Sequence, residues 1–196
     1  EDDVKIHQVG YLTDLMGDRA VKVISDYAAA RQPFFLSLHF NAPHWPWESR
    51  DDNHVSADVK GHLFHLHGGN VATYQRMIRH MDEGIGWVID ALKRTNQIDN
   101  TLIVLTSDNG GERFSDSWPL VGGKMDLTEG GIRVPWVIHW PSMVSAGRVS
   151  PQVCMSMDWT ATMLEVAGAR PHPDYPLDGI SLLPVMRQSG CEFERP

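Results

Sequence analysis

Two adjacent residues, Asp108 and Asn109, place a carboxylate and an amide oxygen directly after an apolar run. Hard oxygen ligands of this kind suit Ca²⁺ or Mg²⁺. The glycines that follow would let the backbone turn tightly around a ligand. Asp, Asn and Gly are also the usual residues of ordinary turns, so an Asx turn without a ligand is the alternative.

Lys124 and His44 are the candidates for chemistry on a substrate. Lys124 follows Gly122-Gly123, and a lysine after glycines beside a cation site could hold an oxyanion. The alternative for Lys124 is a solvated surface residue. His44 lies between Pro43 and Trp45-Pro46, in a rigid, aromatic-lined loop where it could act as a general acid or base. A histidine that only packs or caps this loop is the alternative.

Two apolar segments must position these residues. Phe34–Phe40 reads as a strand buried on both faces and leads into the loop that contains His44. Thr101–Thr106 reads as a second strand and leads into the loop over residues 107–124. In parallel sheets, ligand groups lie in loops after the carboxyl ends of strands, so both loops are expected at one functional edge.

The rest of the chain alternates between helical and extended patterns. The spacing of apolar residues predicts helices at Asp18–Arg31, over Val71–Leu92 with Asn70 as its cap, and at Met155–Ala167. A short turn or helix is expected over Asp178–Met186, and a third strand at Ile132–Trp140. Pro135 indicates an edge position or a late start for that strand. The alternation predicts an α/β fold with a largely parallel sheet flanked by helices.

The charge and the apolar runs exclude two kinds of partner. The 196-residue chain has a net charge of −8, so no broad face is expected to attract nucleic acid or an anionic membrane. Its apolar runs are far shorter than a membrane span. Cys154 and Cys191 are too few for a disulfide framework and are expected to be unpaired.

His62, His65 and His67 look superficially like a metal cluster. Their spacing matches no standard ligand pattern, and no cysteine is close in sequence. A polar, variable loop over residues 49–69 is the better interpretation of this segment.

Four motifs follow one another along the chain: PFFLSLHFNAPHWPW, DNTLIVLTSDNGG, PLVGGKMDLTEGGIRVPWVIHWP and LDGISLLPV. In order and spacing they resemble the sulfatase family of the alkaline-phosphatase superfamily. The resemblance covers nearly the whole chain and is weakest over residues 49–69. It implies a mixed, largely parallel sheet of the alkaline-phosphatase type, of which this chain would form a part.

The resemblance also implies roles for the four candidate residues. Asp108 and Asn109 would be two ligands of a single divalent cation, usually Ca²⁺, with Mg²⁺ as the alternative. Lys124 would contact the sulfate oxygens, and His44 would help to protonate the leaving group. Two-metal phosphatase relatives usually carry His where Asn109 stands. An amide oxygen suits calcium whereas imidazole suits zinc, so Asn109 favours a one-metal site.

A second pair from the same block, Glu129 and Arg133, is expected to hold its loop together rather than to act on substrate. Trp45, Trp47 and Trp118 could stack on a sugar or aryl ring, or could simply pack against the core.

Three expected features of the family are absent from the chain. The nucleophile, a Cys or Ser in a C/S-x-P-x-R motif that is oxidised to formylglycine, has no counterpart. Cys191 and Arg195 have the right spacing, but Phe193 replaces the required Pro or Ala and the segment follows the SDNG loop instead of preceding it. The paired aspartates of the cation site are missing, because neither Asp2-Asp3 nor Asp51-Asp52 follows an apolar first strand. The Lys-x-His pair is missing too.

These departures predict that residues 1–196 are a portion of a single sulfatase catalytic domain, without its nucleophile region and its C-terminal small sheet. Such domains need a chain roughly two- to threefold longer to bury a large sheet. We expect no sulfatase turnover from this chain alone. We also expect self-association through apolar edges left uncovered, which monomeric behaviour in light scattering would contradict.

The intact parent is expected to hydrolyse a sulfate monoester, with a sulfated small molecule or sulfated sugar as substrate. A phosphodiesterase or phosphonate monoester hydrolase of the same superfamily is one alternative. A non-catalytic binding domain derived from a hydrolase is the other. The family resemblance further suggests a periplasmic or secreted protein.

Overall fold

The computed structural model describes residues 4–52, 54–55, 58, 67–188 and 190–194. Two compact units are present. The first contains the described residues of Glu1–Ile98 and Leu105–Val137, and the second those of Asp99–Val104 and Ile138–Pro196. Asp2-Asp3, His62, His65 and Arg195 lie outside the described residues. In the described part of the chain, no helix is long and apolar enough to cross a membrane.

The described residues form five α-helices, one 3₁₀ helix and two strands. In chain order these are α1 (Leu12–Ala30), α2 (Val71–Arg94), the 3₁₀ helix (Ile98–Asn100), β1 (Ile103–Thr106), α3 (Glu129–Ile132), β2 (Trp136–His139), α4 (Ser156–Val166) and α5 (Leu183–Arg187).

Helices α1 and α2 pack against each other and form the scaffold of the first unit. Their closest approach involves Gly17 and Gly84: a Cβ on Gly17 would lie 2.9 Å from the Trp87 ring and 3.5 Å from the Gly84 Cα. Asn70 caps α2 as predicted, since its side-chain oxygen accepts a hydrogen bond from the Thr73 N–H at 2.9 Å. At Gly84 itself a Cβ would lie 3.3 Å from the Phe40 ring, so the glycine within α2 leaves room for that ring.

The prediction for α1 placed its start six residues too late. The helix begins at Leu12, and its buried face includes Thr13 and Gly17 as well as the predicted Ala20 and Ile24. Thr13 and Gly17 are not apolar by type, so the apolar spacing alone did not show that they belong to the packed face. The helix ends as expected near Pro33, with Arg31 in the left-handed conformation.

The prediction of a strand at Phe34–Phe40, buried on both faces, is wrong for this structure. The segment belongs to no helix or strand of the structure. Its exposure alternates, with Phe34, Leu36, Leu38 and Phe40 partly buried and the residues between them exposed. Phe35 is 71% exposed. An extended segment becomes a strand only when a neighbour pairs with its backbone, and a β-branched or aromatic composition does not supply that neighbour.

Strands β1 and β2 pair in a two-stranded sheet. β1 falls inside the predicted second strand. β2 begins directly after Pro135, so the late start is confirmed. Of the preceding residues of the predicted strand, Ile132 ends the helical turn α3 and residues 133–135 belong to no helix or strand. The described residues thus form a small α/β fragment, and the larger, largely parallel sheet stays a prediction.

In the second unit, the carboxylate of Asp158 joins α4 to the segment before α5. Asp158 is fully buried. It accepts hydrogen bonds from the Met155 N–H at 2.7 Å and from the Ile180 N–H at 2.9 Å. Gly179 must lack a side chain, because a Cβ there would lie 2.2 Å from the Met157 carbonyl oxygen. The LDGISLLPV motif therefore has a structural role around Asp158.

Candidate active site

Two backbone hydrogen bonds hold the turn after β1 against the loop that contains Lys124, and a third closes that loop on itself. The N–H groups of Gly110, Lys124 and Gly130 donate to the carbonyl oxygens of Gly131, Gly111 and Val121, at 2.8, 2.8 and 2.7 Å. We call residues 107–111 and 121–131 the two glycine loops. Their contact brings Asp108, Asn109 and Lys124 into one local structure.

Glycine is required where the two glycine loops touch. A Cβ on Gly110 would lie 1.9 Å from the Gly130 carbonyl oxygen, and one on Gly130 would lie 2.1 Å from the Gly122 carbonyl oxygen. A Cβ on Gly131 would meet the Asp126 carbonyl oxygen at 2.1 Å. The obstructing atoms belong to the backbone, which cannot rotate away as a side chain does. Gly110, Gly130 and Gly131 are therefore explained by close packing of the backbone, whereas a Cβ on Gly111 would meet the Ser115 side chain at 2.2 Å.

Asp108 and Asn109 lie at the carboxyl end of β1, as predicted. Asp108 is exposed and Asn109 is partly buried. The Asn109 amide nitrogen donates to the Gly110 carbonyl oxygen at 2.9 Å, which orients the amide group. The Ser107 hydroxyl donates to the Asn109 carbonyl oxygen at 3.0 Å. These local bonds fix the turn and leave the Asp108 carboxylate facing solvent.

The residue types of this turn fit part of a site for a hard cation. One carboxylate and one amide oxygen are the right donors, but Ca²⁺ takes six to eight oxygen ligands. The part of the chain that the structure describes contains no group of three His, Cys, Asp or Glu residues that could hold a metal ion. Asp108 and Asn109 could therefore supply two ligands and would need others from elsewhere.

Lys124 lines a cleft of about 450 Å³ together with Glu112, Asp116 and Trp118. Its ammonium nitrogen lies 3.3 Å from Glu112 Oε2, and both side chains are largely buried, with 23% and 22% exposed. The prediction for Lys124 did not anticipate this ion pair. The cleft is lined by residues of the two glycine loops and of the segment 112–120 between them, all of which belong to the first unit.

His44 is exposed on its loop, and its Nδ1 lies 2.7 Å from the Trp45 carbonyl oxygen. A carbonyl oxygen only accepts, so Nδ1 must carry a proton in this contact. The neutral ring then has its lone pair on Nε2. That nitrogen is therefore the one that can accept a proton or a hydrogen bond.

The loop with His44 is held to the loop after β1 by a cluster of large side chains, here called the aromatic anchor. Trp47 lies edge-on to Phe114 with ring centroids 5.2 Å apart, and Tyr74 of α2 lies 6.2 Å from Trp47. The aromatic anchor consists of buried Ala42, Trp47 and Met77 with partly buried Trp45, Tyr74, Met81 and Phe114. It therefore fixes the His44 loop and the Phe114 segment on α2.

Ion pairs secure the segment that follows Trp47. Arg50 contacts Asp14 of α1 through two nitrogens, at 2.6 and 2.8 Å, and Glu83 of α2 at 3.0 Å. The hydrogen bond to Asp14 is the main cause that raises the Arg50 pKa. The first residues of the predicted variable loop are thus tightly bound to both helices.

Asp52 connects the same segment to Arg76 of α2. It accepts hydrogen bonds from the backbone and hydroxyl of Ser49 at 2.9 and 2.6 Å, and it pairs with Arg76 at 3.0 Å. Burial alone would raise the Asp52 pKa, but the hydrogen bonds from Ser49 and Arg76 outweigh it and lower the pKa to about 2.

The prediction that Glu129 and Arg133 hold their loop together is consistent with a 3.0 Å ion pair between them. Both side chains are mostly exposed, so the pair stabilises the loop little. Cys154 and Cys191 form no disulfide, and the Cys154 thiol donates to the Gln152 carbonyl oxygen at 3.4 Å. Cys191 belongs to the second unit, where the neighbouring Phe193 N–H donates to Gln152 Oε1 at 2.9 Å.

The described residues form a small α/β fragment, and comparison with known proteins identifies its family. The sulfatase family model matches residues 2–169. The N-acetylgalactosamine-6-sulfatase of Mus musculus is 32% identical over 94% of this chain. Among solved structures, Ps i-CgsB superimposes with a TM-score of 0.82 at 34% identity, covering 94% of this chain and 40% of that one. A complex of Ps i-CgsB with k-i-k-neocarrahexaose gives a TM-score of 0.81.

The chain belongs to the sulfatase family, whose members are sulfuric ester hydrolases. It spans about a third of the length of the curated relatives that it matches, 34% in the case of the mouse protein. The resemblance seen in the sequence motifs is thereby confirmed.

Proposed function

We propose that this chain is part of a sulfatase that hydrolyses a sulfate monoester of a sugar or a small molecule. It supplies Lys124 and His44 to act on the substrate, and Asp108 and Asn109 to bind a cation. The observation that carries the proposal is the backbone contact between the two glycine loops, which joins Lys124 to the turn that bears both cation ligands.

Lys124 is suited to bind the sulfate group. Its ammonium lies in a cleft, it is largely removed from water, and its loop is held by a hydrogen bond from its own backbone N–H to Gly111. A fixed positive charge in a partly desolvated site stabilises the charge that develops on the sulfate oxygens more than the same charge in water would.

His44 is suited to transfer a proton to the leaving oxygen. The Nδ1 contact with the Trp45 carbonyl holds the ring and directs proton exchange to Nε2. The aromatic anchor holds the loop of His44 to the segment around Phe114, which lies close in sequence to Glu112, the partner of Lys124. His44 and Lys124 are thus tied to the same structural unit.

The proposed cation is Ca²⁺, with Mg²⁺ as the alternative, and Asp108 and Asn109 would be two of its ligands. A bound divalent cation would neutralise negative charge on the sulfate and favour attack at sulfur. The sequence lacks a C/S-x-P-x-R motif, so the formylglycine nucleophile of the intact enzyme would belong to a part of the protein outside this chain. Residues 1–196 would then be a portion of one catalytic domain.

A sulfated sugar is the substrate class that the relatives favour. One relative is named N-acetylgalactosamine-6-sulfatase, and another was solved with k-i-k-neocarrahexaose. Among the three candidate tryptophans, Trp47 is buried and Trp45 donates to the His67 carbonyl oxygen. Trp118 is 84% exposed and lines the cleft of Lys124. Trp118 is therefore our choice for the surface that stacks on a sugar ring.

The test is a comparison of variants in an intact sulfatase that contains this sequence. We expect Lys124→Ala to lower kcat/KM for a sulfated monosaccharide by about 100-fold or more, as removal of a charge-stabilising group typically does. Lys93→Ala is the matched control, because Lys93 is an exposed lysine that pairs with Asp90 of its own helix and does not line the cleft.

Turnover by the Lys124→Ala enzyme close to the wild-type rate would contradict the role of Lys124. The 196-residue chain alone should show no hydrolysis of an aryl sulfate, and robust turnover by it would contradict our assignment of the nucleophile to another part of the protein.

A further inference from the structure

Glu112 places a negative charge directly beside the group proposed to bind the sulfate. Its Oε2 lies 3.3 Å from Lys124 Nζ. The same cleft contains a second carboxylate, that of Asp116, whose Oδ1 accepts the Trp118 N–H at 2.9 Å. The ionisable residues that line the cleft are thus one ammonium and two carboxylates. This is an unusual composition for a site whose substrate is an anion.

The geometry limits how far a bound anion can be from Glu112. An anion oxygen hydrogen-bonded to Lys124 would lie about 3 Å from the ammonium nitrogen. Because Glu112 is 3.3 Å from that nitrogen, the two negative groups can be separated by no more than the sum of the two distances, about 6 Å. Any anion held by Lys124 is therefore repelled by Glu112.

This repulsion depends on the charge of the substrate. A sulfate monoester carries one negative charge, whereas a phosphate monoester carries close to two above its second pKa of about 6. Coulomb energy is proportional to charge. One extra negative charge on the ligand, about 6 Å from Glu112, is repelled strongly enough to weaken binding by about threefold in water and about 100-fold at an effective dielectric constant of 20.

We propose that Glu112 is a specificity-determining residue that lowers the preference of the Lys124 cleft for doubly charged esters over singly charged ones. The inference rests on the proposed role of Lys124. Glu112 performs two tasks in this arrangement. It holds the ammonium in the cleft. It also repels a bound anion and so offsets part of the attraction to Lys124, and this repulsion is twice as large for a dianion as for a monoanion.

The experiment compares three probes on the 196-residue chain at pH 8, in low salt and with a chelator present. Phenyl sulfate and methyl phenyl phosphate are monoanions, and phenyl phosphate is a dianion. Dissociation constants come from ligand-observed NMR titrations. We expect Glu112→Gln to raise the affinity for phenyl phosphate relative to that for phenyl sulfate by about tenfold. The affinities for the two monoanions should change by the same factor.

Glutamine keeps the shape of Glu112 and can still accept a hydrogen bond from Lys124, so the ratio of affinities reports charge and not folding. Glu129→Gln is the matched control: Glu129 pairs with Arg133 at 3.0 Å but does not line the Lys124 cleft. That variant should leave all three affinities unchanged.

Each of the other possible outcomes would contradict a different claim about Glu112 or Lys124. Equal shifts for all three probes in Glu112→Gln would show a purely structural role for Glu112 and would leave the proposed function intact. If the variant changed the affinities for phenyl phosphate and methyl phenyl phosphate equally but left that for phenyl sulfate unchanged, Glu112 would discriminate by the phosphorus centre and not by charge. Absence of binding to the wild-type chain, or unchanged binding in Lys124→Ala, would overturn both the role of Lys124 and this inference.

Discussion

The two glycine loops and the aromatic anchor position the candidate residues in opposite ways. In the glycine loops, backbone atoms approach each other so closely that no side chain fits, as at Gly110 and Gly130. In the aromatic anchor, large rings fill the space between a loop and α2, and Trp47 is only 2% exposed. Lys124 depends on the first arrangement and His44 on the second.

The difference shows which changes each region can tolerate. The glycine loops derive their geometry from directional backbone hydrogen bonds, which any added Cβ would break. The aromatic anchor derives its geometry from buried apolar area, which any lost ring would diminish. The first region should therefore fail when atoms are added, and the second when atoms are removed.

The largest expected effect is on the aromatic anchor. We expect Trp47→Ala to lower the free energy of unfolding by about 4 kcal/mol, since buried Trp→Ala changes typically cost 3–5 kcal/mol. Trp47 packs on Tyr74 and Phe114, and its ring fills the space over Gly69. Urea denaturation followed by circular dichroism measures the change.

Trp118→Ala is the matched control for Trp47→Ala. Trp118 is 84% exposed, so its loss should change the free energy of unfolding by less than about 0.5 kcal/mol. A comparable cost for the two tryptophans would mean that the aromatic anchor does not hold the His44 loop.

A somewhat smaller effect is expected in the glycine loops. Gly110→Ala places a Cβ 1.9 Å from the Gly130 carbonyl oxygen, so the loops must separate and the Gly110 N–H loses its bond to Gly131. We expect a cost of about 3 kcal/mol, because a buried donor loses its partner and the backbone is displaced. Amide hydrogen exchange of Gly110, Lys124 and Gly130 should accelerate strongly.

Gly86→Ala provides the control with the opposite sign. Gly86 lies within α2, and a Cβ there would meet nothing within 4 Å. Alanine is the better helix former by about 0.5–1 kcal/mol, so this variant should be more stable than the wild type. A Gly110→Ala protein with unchanged amide exchange would show that the close approach of the glycine loops is not required.

The same contrast explains what the sequence could reveal. The glycine loops were recognisable because SDNGG and GGK…EGGIRVP are written in the sequence as fixed, contiguous patterns. The sequence therefore predicts that Asp108, Asn109 and Lys124 belong to one site, and the structure shows that the loops carrying them are hydrogen-bonded to each other. The helices α2 and α4 were predictable for a similar reason, since their apolar spacing and the cap at Asn70 are local signals.

Features that depend on distant residues could not be predicted. The ion pair of Glu112 with Lys124 joins positions twelve residues apart in different loops, and no spacing rule connects them. Phe114 was not singled out, because an aromatic residue in a loop becomes an anchor only where Trp47 and Tyr74 are present. Phe34–Phe40 failed as a strand because its composition cannot show whether a neighbouring strand pairs with it.

The smallest expected effect concerns the polar network beside the aromatic anchor, and it separates this region from the glycine loops by pH. Hydrogen bonds from Ser49 and the pairing with Arg76 outweigh burial and lower the folded-state pKa of Asp52 to about 2, against an ordinary value of 3.8. A lowered pKa means that the unfolded chain binds the proton more tightly. The stabilisation is therefore complete above about pH 4 and is lost as the pH falls through 2.

We expect Asp52 to contribute about 1–2 kcal/mol to the free energy of unfolding at pH 5, a value below the full shift because Arg76 is partly exposed to solvent. Urea midpoints at pH 5, 3.5 and 2 for the wild type and for Asp52→Asn would isolate this contribution, since other carboxylates titrate in both proteins. The two curves should differ at pH 5 and converge at pH 2. A constant difference across this range would show that the Asp52 charge does not stabilise the segment after Trp47, and that packing alone holds the His44 loop.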